Sequence, residues 1–296
     1  MPIALLKFPT DLLREVFGLC EPFELYKLSK CSKWTQRTIM LGGTKKWKIN
    51  YWGGNAISVY VDDSNYNFIP TDDPENYFQI TLGRYNNYMF IEFPNGGAVD
   101  AFVYLIETFG IRIAKLLEIP IDSIANVSEA AKVLVDRNME IEQFGIKNVE
   151  EVRDVINFMP LVNQMNITQE FNCFSKFPHN FHFEFVKYSR SIYIDYSSWF
   201  TIDQLLDCTC ARIYLGHSSF NNHDLDVFLQ KWKKTGTFPN LRYLRIHSFQ
   251  IDNESPIQKM IPPIQTVNNP MVRVAILNSY FDIWDGVRVT KEDGTV

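Results

Sequence analysis

The residue types best suited to bind a soft metal are Cys208-Thr209-Cys210, with His217 and His223 downstream. Tetrahedral zinc sites draw ligand pairs from Cys-x-x-Cys spacing, and Cys-x-Cys supplies two such ligands poorly. Cys208 falls at the end of a helical pattern and Cys210 just before a strand pattern, which suits two buried thiols. His179-Asn180-Phe181-His182 lies in an aromatic stretch and reads as a strand or loop with polar edges rather than a ligand pair. The chain has no Gly-rich phosphate loop, no Gly-x-Ser-x-Gly elbow and no His-Glu-x-x-His helix. A cysteine nucleophile would need partners drawn from distant parts of the chain. No catalytic residue, metal or cofactor is assigned, and the expected work is recognition.

The elements that would present recognition residues are set by periodicity. Strands are expected at Trp47–Tyr51, Ala56–Val61, Tyr77–Leu82 and Tyr88–Phe93, and a helix over Ala98–Leu117 with another near Glu129–Asp136. From about residue 138 a unit recurs, with short strand, loop and helix. The strands fall at Ile141–Ile146, Ile167–Phe171, Ser191–Asp195, Ala211–Leu215, Leu241–Ile246 and Arg273–Leu277. Helices fall at Val149–Phe158, Thr201–Cys208 and Asn222–Lys234. Starts about 20–30 residues apart are in the range of leucine-rich solenoids. The expected class is α/β (α+β overall): three N-terminal helices over 1–46, then an irregular leucine-rich-repeat-like α/β domain over 47–296. A mixed-sheet α/β domain is the competing architecture.

In repeat arcs the strand face and its loops carry recognition. Outward positions there are Tyr193, Arg212, Tyr214, Arg242 and Arg245, with Glu142 and Gln169 as further candidates and the Tyr85–Tyr88 loop as another. Phe228, Leu229 and Trp232 stand at helical spacing and read as packing residues.

The N-terminus opens on Phe8-Pro9-Thr10-Asp11-Leu12-Leu13-Arg14-Glu15-Val16-Phe17, then Pro22-Phe23-Glu24-Leu25-Tyr26-Lys27-Leu28-Ser29 and Cys31-Ser32-Lys33-Trp34. Pro9 and Pro22 fit helix starts, Ser32 fits an N-cap, and Asp11 and Glu15 sit early, where the helix dipole favours negative charge. Three helices this short cannot bury all their apolar groups on themselves.

This stretch resembles an F-box, the helical module that docks on a Skp-type adaptor in cullin–RING ubiquitin ligases. Phe8 stands where that family more often has Leu. The resemblance implies an adaptor-facing set of Pro9, Leu12, Val16, Leu25, Leu28 and Trp34. A second stretch runs from Ser198-Trp199-Phe200 through Leu205-Leu206, Arg212-Ile213-Tyr214-Leu215 and Leu225-Asp226-Val227-Phe228-Leu229-Gln230-Lys231-Trp232 to Pro239-Asn240-Leu241-Arg242-Tyr243-Leu244. It is similar to the F-box-associated domain of the large nematode F-box family, with Asp226 where that pattern usually has Asn. Together they imply a non-catalytic substrate receptor of an SCF-type ligase, joining the adaptor, and through it the cullin–RING ligase, to a client protein. The alternative is a scaffold with a diverged F-box and no ligase role.

Composition bounds the rest. The 296 residues are 46% hydrophobic and 15% aromatic, enough for a packed core. The five cysteines are scattered and odd in number, which suits free thiols in a reducing compartment. The net charge is −5, yet Lys27, Lys30, Lys33, Arg37, Lys45, Lys46 and Lys48 make the N-terminal part basic. No Arg/Lys-rich run points to nucleic acid. No apolar run reaches membrane-span length, and Met1–Lys7 is too short for a signal-peptide core. The expected location is intracellular, in cytoplasm, nucleus or both.

Overall fold

Helix α1 (Thr10–Leu19) starts where Pro9 holds an extended backbone. It turns Leu13 and Phe17, one helical repeat apart, into the interior. In α2 (Pro22–Cys31), Glu21 and Glu24 form a capping box, with the Glu21 amide donating to Glu24 Oε2 at 2.9 Å. Helix α3 (Lys33–Leu41) is capped by Ser32, whose Oγ accepts from the Thr35 amide at 3.0 Å. The computed structural model describes residues 8–41, 47–54, 56–92, 96–121, 124–149, 152–261, 271–276, 279–283, 291–292 and 294. Lys45, Lys46 and Phe93, included in the sequence expectations, lie outside them. The chain divides into two units, Met1–Thr168 and Gln169–Val296.

The first unit continues with β1 (Lys48–Tyr51), β2 (Ile57–Val61), β3 (Ser64–Thr71), one 3-10 turn (Pro74–Asn76), β4 (Ile80–Thr81), β5 (Asn86–Glu92), α4 (Gly97–Phe109), β6 (Ile113–Ile119), α5 (Ala125–Asp136), β7 (Glu140–Ile146) and α6 (Arg153–Val162). Its strands lie in the order β7-β6-β1-β2-β3-β5-β4. The β1–β6, β6–β7 and β3–β5 pairs are parallel, and β1–β2, β2–β3 and β4–β5 antiparallel.

Helix α2 is part of this unit's core. Phe23 meets Tyr66 and Phe68 edge-on, each at 5.2 Å between ring centres. Tyr26 meets Tyr104 of α4 at 5.8 Å. Ser29 Oγ donates to the Tyr26 carbonyl and lies 2.8 Å from Tyr104 Oη.

Two expectations change here. The helix expected through Leu117 ends at Phe109, because Gly110 takes a left-handed φ of 62° and caps it. The next element is β6, flanked by β1 and β7; a parallel strand between two others reads as an apolar run. Asp62 and Asp63 make the tight turn of the β2–β3 hairpin, with Asp62 at φ 49°. The strand expected over Tyr77–Leu82 shrinks to Ile80–Thr81, because Phe78 has φ 63° just after the 3-10 turn.

The second unit takes in most of β8 (Asn166–Cys173), then β9 (Ser191–Ile194), α7 (Ile202–Asp207), β10 (Arg212–Ser218), α8 (Asn222–Lys233) and β11 (Tyr243–Ser248). Each strand pairs in parallel with the next in sequence, in the order β8-β9-β10-β11. Ile192, Ile194, Ile213 and Leu215 face the buried side. Trp199, Phe177, Phe181 and Phe183 form an aromatic cluster in the same unit. Phe228 is buried as expected, while Leu229 and Trp232 are half-buried.

Two differences appear in this unit. The strand expected at Arg273–Leu277 is β12 (Val272–Ile276), paired antiparallel with β13 (Ser279–Ile283) in a two-stranded sheet of its own rather than added to the parallel run. The strand expected from Leu241 begins at Tyr243, so Arg242 precedes it. The fold is mixed α/β. Among the described residues no helix is long and apolar enough to cross a membrane.

Candidate docking surfaces

Along α1, Pro9, Leu12, Val16 and Leu19 form a stripe that flanks the buried Leu13 and Phe17. Leu12 is 41% exposed and Leu19 86%, while Val16 is half-buried. On α3, Trp34 and Met40 are each 49% exposed. Covering the apolar area these side chains leave exposed would favour association. Lys27 and Lys30 of α2 and Lys33 and Arg37 of α3 are also exposed, Lys30 lying over the Tyr104 ring at 4.4 Å.

The six sequence-derived residues do not share one fate. Pro9, Leu12 and Trp34 reach the surface, and Val16 and Leu28 are half-buried. Leu25 does not reach the surface: at 2% exposure it is buried in the core. Leu19 and Met40 were not in the set, although Leu19 continues the helical spacing of Leu12 and Val16.

The second surface is the sheet face of β8–β11. Strand alternation puts Ser191 and Tyr193 on one side and Ile192 and Ile194 on the other. Register sets Tyr193 beside Tyr214, and Tyr214 beside Arg245. The two rings stack at 4.2 Å with 2° between planes, and the Arg245 guanidinium lies 5.5 Å from the Tyr214 ring centre. Phe174 extends the row, 5.2 Å from Tyr193. One step back along the strands, Arg212 lies beside Ser191 and Tyr243, its guanidinium 5.5 Å from the Tyr243 ring. Burial, and then the hydrogen bond with Tyr214, push the Tyr193 phenol up to about 12, so it is neutral at physiological pH.

Beyond the stacked pair the face continues with residues the sequence reading missed. A register shift between Leu215 and Ser218 leaves His217 at φ 44° and exposed, stacked 4.8 Å from Tyr196. Bulges re-aim side chains in this way. His247 and Phe249 sit 5.5 and 5.8 Å from His217. The alternation Tyr243, Arg245, His247, Phe249 carried the signal for two of these positions, His247 and Phe249.

Four of the five predicted client residues, Tyr193, Arg212, Tyr214 and Arg245, therefore share this face. Arg242 does not; it lies before β11, exposed, at the edge of a separate cavity. In the first unit, Glu142 is engaged by Lys48 at 2.6 Å. Gln169 is exposed, as is Tyr85 under the Arg84 guanidinium.

The cysteine–histidine stretch does not assemble a ligand set. Cys210 Sγ donates to the Ser189 carbonyl at 3.0 Å, and Cys208 is lowered chiefly by its hydrogen bond with Cys210. Among the described residues no group of three or more His, Cys, Asp or Glu side chains is placed to hold a metal ion.

Residues 173–246 match the family described as F-box associated. The match runs from the end of β8 into β11 and includes Tyr193, Tyr214 and Arg245. No curated protein and no solved structure matches the chain.

Proposed function

We propose that the chain is a substrate-recognition subunit of an SCF-type cullin–RING ubiquitin ligase. Its N-terminal helices act as an F-box on a Skp-type adaptor, and the β8–β11 face, read as an irregular leucine-rich-repeat-like arc, holds a client protein. The observation that carries this reading is coincidence of place: the F-box associated match covers the strands whose exposed side carries the Tyr193–Tyr214–Arg245 row. The exposed apolar residues of α1 and α3 supply the second contact the role requires. In this role the chain performs no bond chemistry. It raises the effective concentration of client beside a charged ubiquitin carrier.

Quantitative ubiquitin-remnant proteomics in cells lacking the chain, rescued with wild type or with Tyr214→Ala/Arg245→Ala, tests the role. The expected result is a set of proteins whose ubiquitination falls on loss and returns with wild type only. No change on loss, or full rescue by the double variant, contradicts it.

A further inference from the structure

A cavity opens at the strand starts of the second unit. It has a volume of about 370 Å³ and is lined by Tyr188, Ser189, Arg190, Thr209, Asn240 and Arg242, with Ala211 between them. Ser189 and Arg190 precede β9, Thr209 precedes β10, and Asn240 and Arg242 precede β11. Three successive chain crossings thus converge on one opening. Arg190 and Arg242 are both exposed, and among the described residues neither guanidinium is held in an ion pair.

No carboxylate lines the cavity. Asp207 and Glu184 lie close enough to bear on the Tyr188 hydroxyl, but Asp207 faces Lys231 at 3.8 Å. The Ser189 hydroxyl donates to the Ser191 carbonyl at 2.7 Å; the two guanidinium groups, the Thr209 hydroxyl and the Asn240 side-chain amide make a donor set for an oxyanion. The charge count chooses among oxyanions. A carboxylate carries one negative charge, whereas a phosphate monoester carries about −1.5 to −2 at pH 7 and balances two arginines.

We propose that this cavity binds the phosphate of a phosphorylated serine or threonine in the client. The proposal rests on the receptor reading above and names the client's chemistry. The adjoining row, Ser191–Arg212–Tyr243, leads from the cavity to the Tyr193–Tyr214–Arg245 row. A client chain anchored at the cavity therefore has a continuous sheet face to run along.

The test uses the full chain at constant ionic strength, with inorganic phosphate, O-phosphoserine and a degenerate phosphoserine peptide library as probes. Binding is read by calorimetry and thermal shift. All three are expected to bind, and the phosphopeptides about tenfold tighter than the same library without phosphate. R190Q and R242Q should each weaken binding about tenfold, while R112Q, in the first unit, leaves it unchanged. The proposal is overturned if neither phosphate nor O-phosphoserine binds the folded chain. It is equally overturned if binding ignores R190Q and R242Q, or if a single-stranded oligonucleotide outcompetes the phosphopeptides. Adaptor capture is measured on the same samples. Phosphate binding without adaptor capture removes the ligase role and leaves the anion site; capture without phosphate binding does the reverse.

Discussion

Tyr193 and Tyr214 stand on adjacent parallel strands in direct register, their rings 4.2 Å apart and 2° from parallel. Stacked this way they turn their edges and hydroxyls, not their faces, to the solvent. The Arg245 guanidinium covers the Tyr214 side of the pair at 5.5 Å. The row is a rigid, planar, hydrogen-bonding strip and loses little side-chain freedom when a client lies across it.

Tyr214→Ala should therefore separate stability from binding. Loss of one half-exposed stacked pair is expected to cost about 0.5–1.5 kcal/mol, too little to unfold the unit. Chemical denaturation should show a small fall in midpoint with unchanged slope, while client capture in cross-linking pull-downs drops to background.

Leu25 and Leu12 should behave oppositely although both belong to the adaptor-facing set taken from sequence. Leu25→Asp places a charge at a position only 2% exposed and is expected to cost more than about 3 kcal/mol. Leu12→Asp alters a side chain already 41% exposed and should change stability by less than about 0.5 kcal/mol. Thermal unfolding of the two variants checks this; similar melting temperatures would mean that α2 does not pack as described.

Phe23→Ala should loosen the N-terminal helices from the strands beneath them. Removing a ring that meets Tyr66 and Phe68 is expected to cost about 3–5 kcal/mol. Hydrogen exchange should accelerate in both α2 and β3, because each loses the same contact. Acceleration confined to α2 would show that the helix is not part of that core.

Tyr51 gives a pH-dependent prediction. Its side chain is fully buried, stacked on Phe102 at 5.1 Å, and among the described residues its hydroxyl has no hydrogen-bond partner. Burial, with Glu129 as a lesser cause, pushes the phenol from its ordinary 10.0 to about 12. The folded state thus disfavours the phenolate, so this stability is complete below the ordinary value and is lost as pH rises through about 12. Tyr51→Phe should be neutral or stabilising by about 1 kcal/mol at pH 7 and should make the alkaline unfolding limb shallower. A steeper limb in the variant would contradict this.

Much of this was legible from local rules. Pro9, Pro22 and Ser32 marked the three helix starts, and the alternation around Tyr193 and Tyr214 marked the exposed face. The features that were not legible depend on distant neighbours. Strand β6 reads as helix because β1 and β7, which flank it, come from far along the chain. Leu25 reads as surface because helical spacing cannot say which faces of a short helix are covered by the rest of the fold. Arg190 and His217 owe their positions to a strand-start loop and a bulge, and neither has a periodicity to betray it.

The most direct test of the central claim is a pull-down of the tagged full-length chain beside a Leu12→Asp/Leu19→Asp variant of equal stability, read for adaptor and cullin. The account predicts both proteins with wild type and neither with the variant. A folded wild type that captures no adaptor, or a variant that captures it equally well, would contradict the receptor role assigned to these helices.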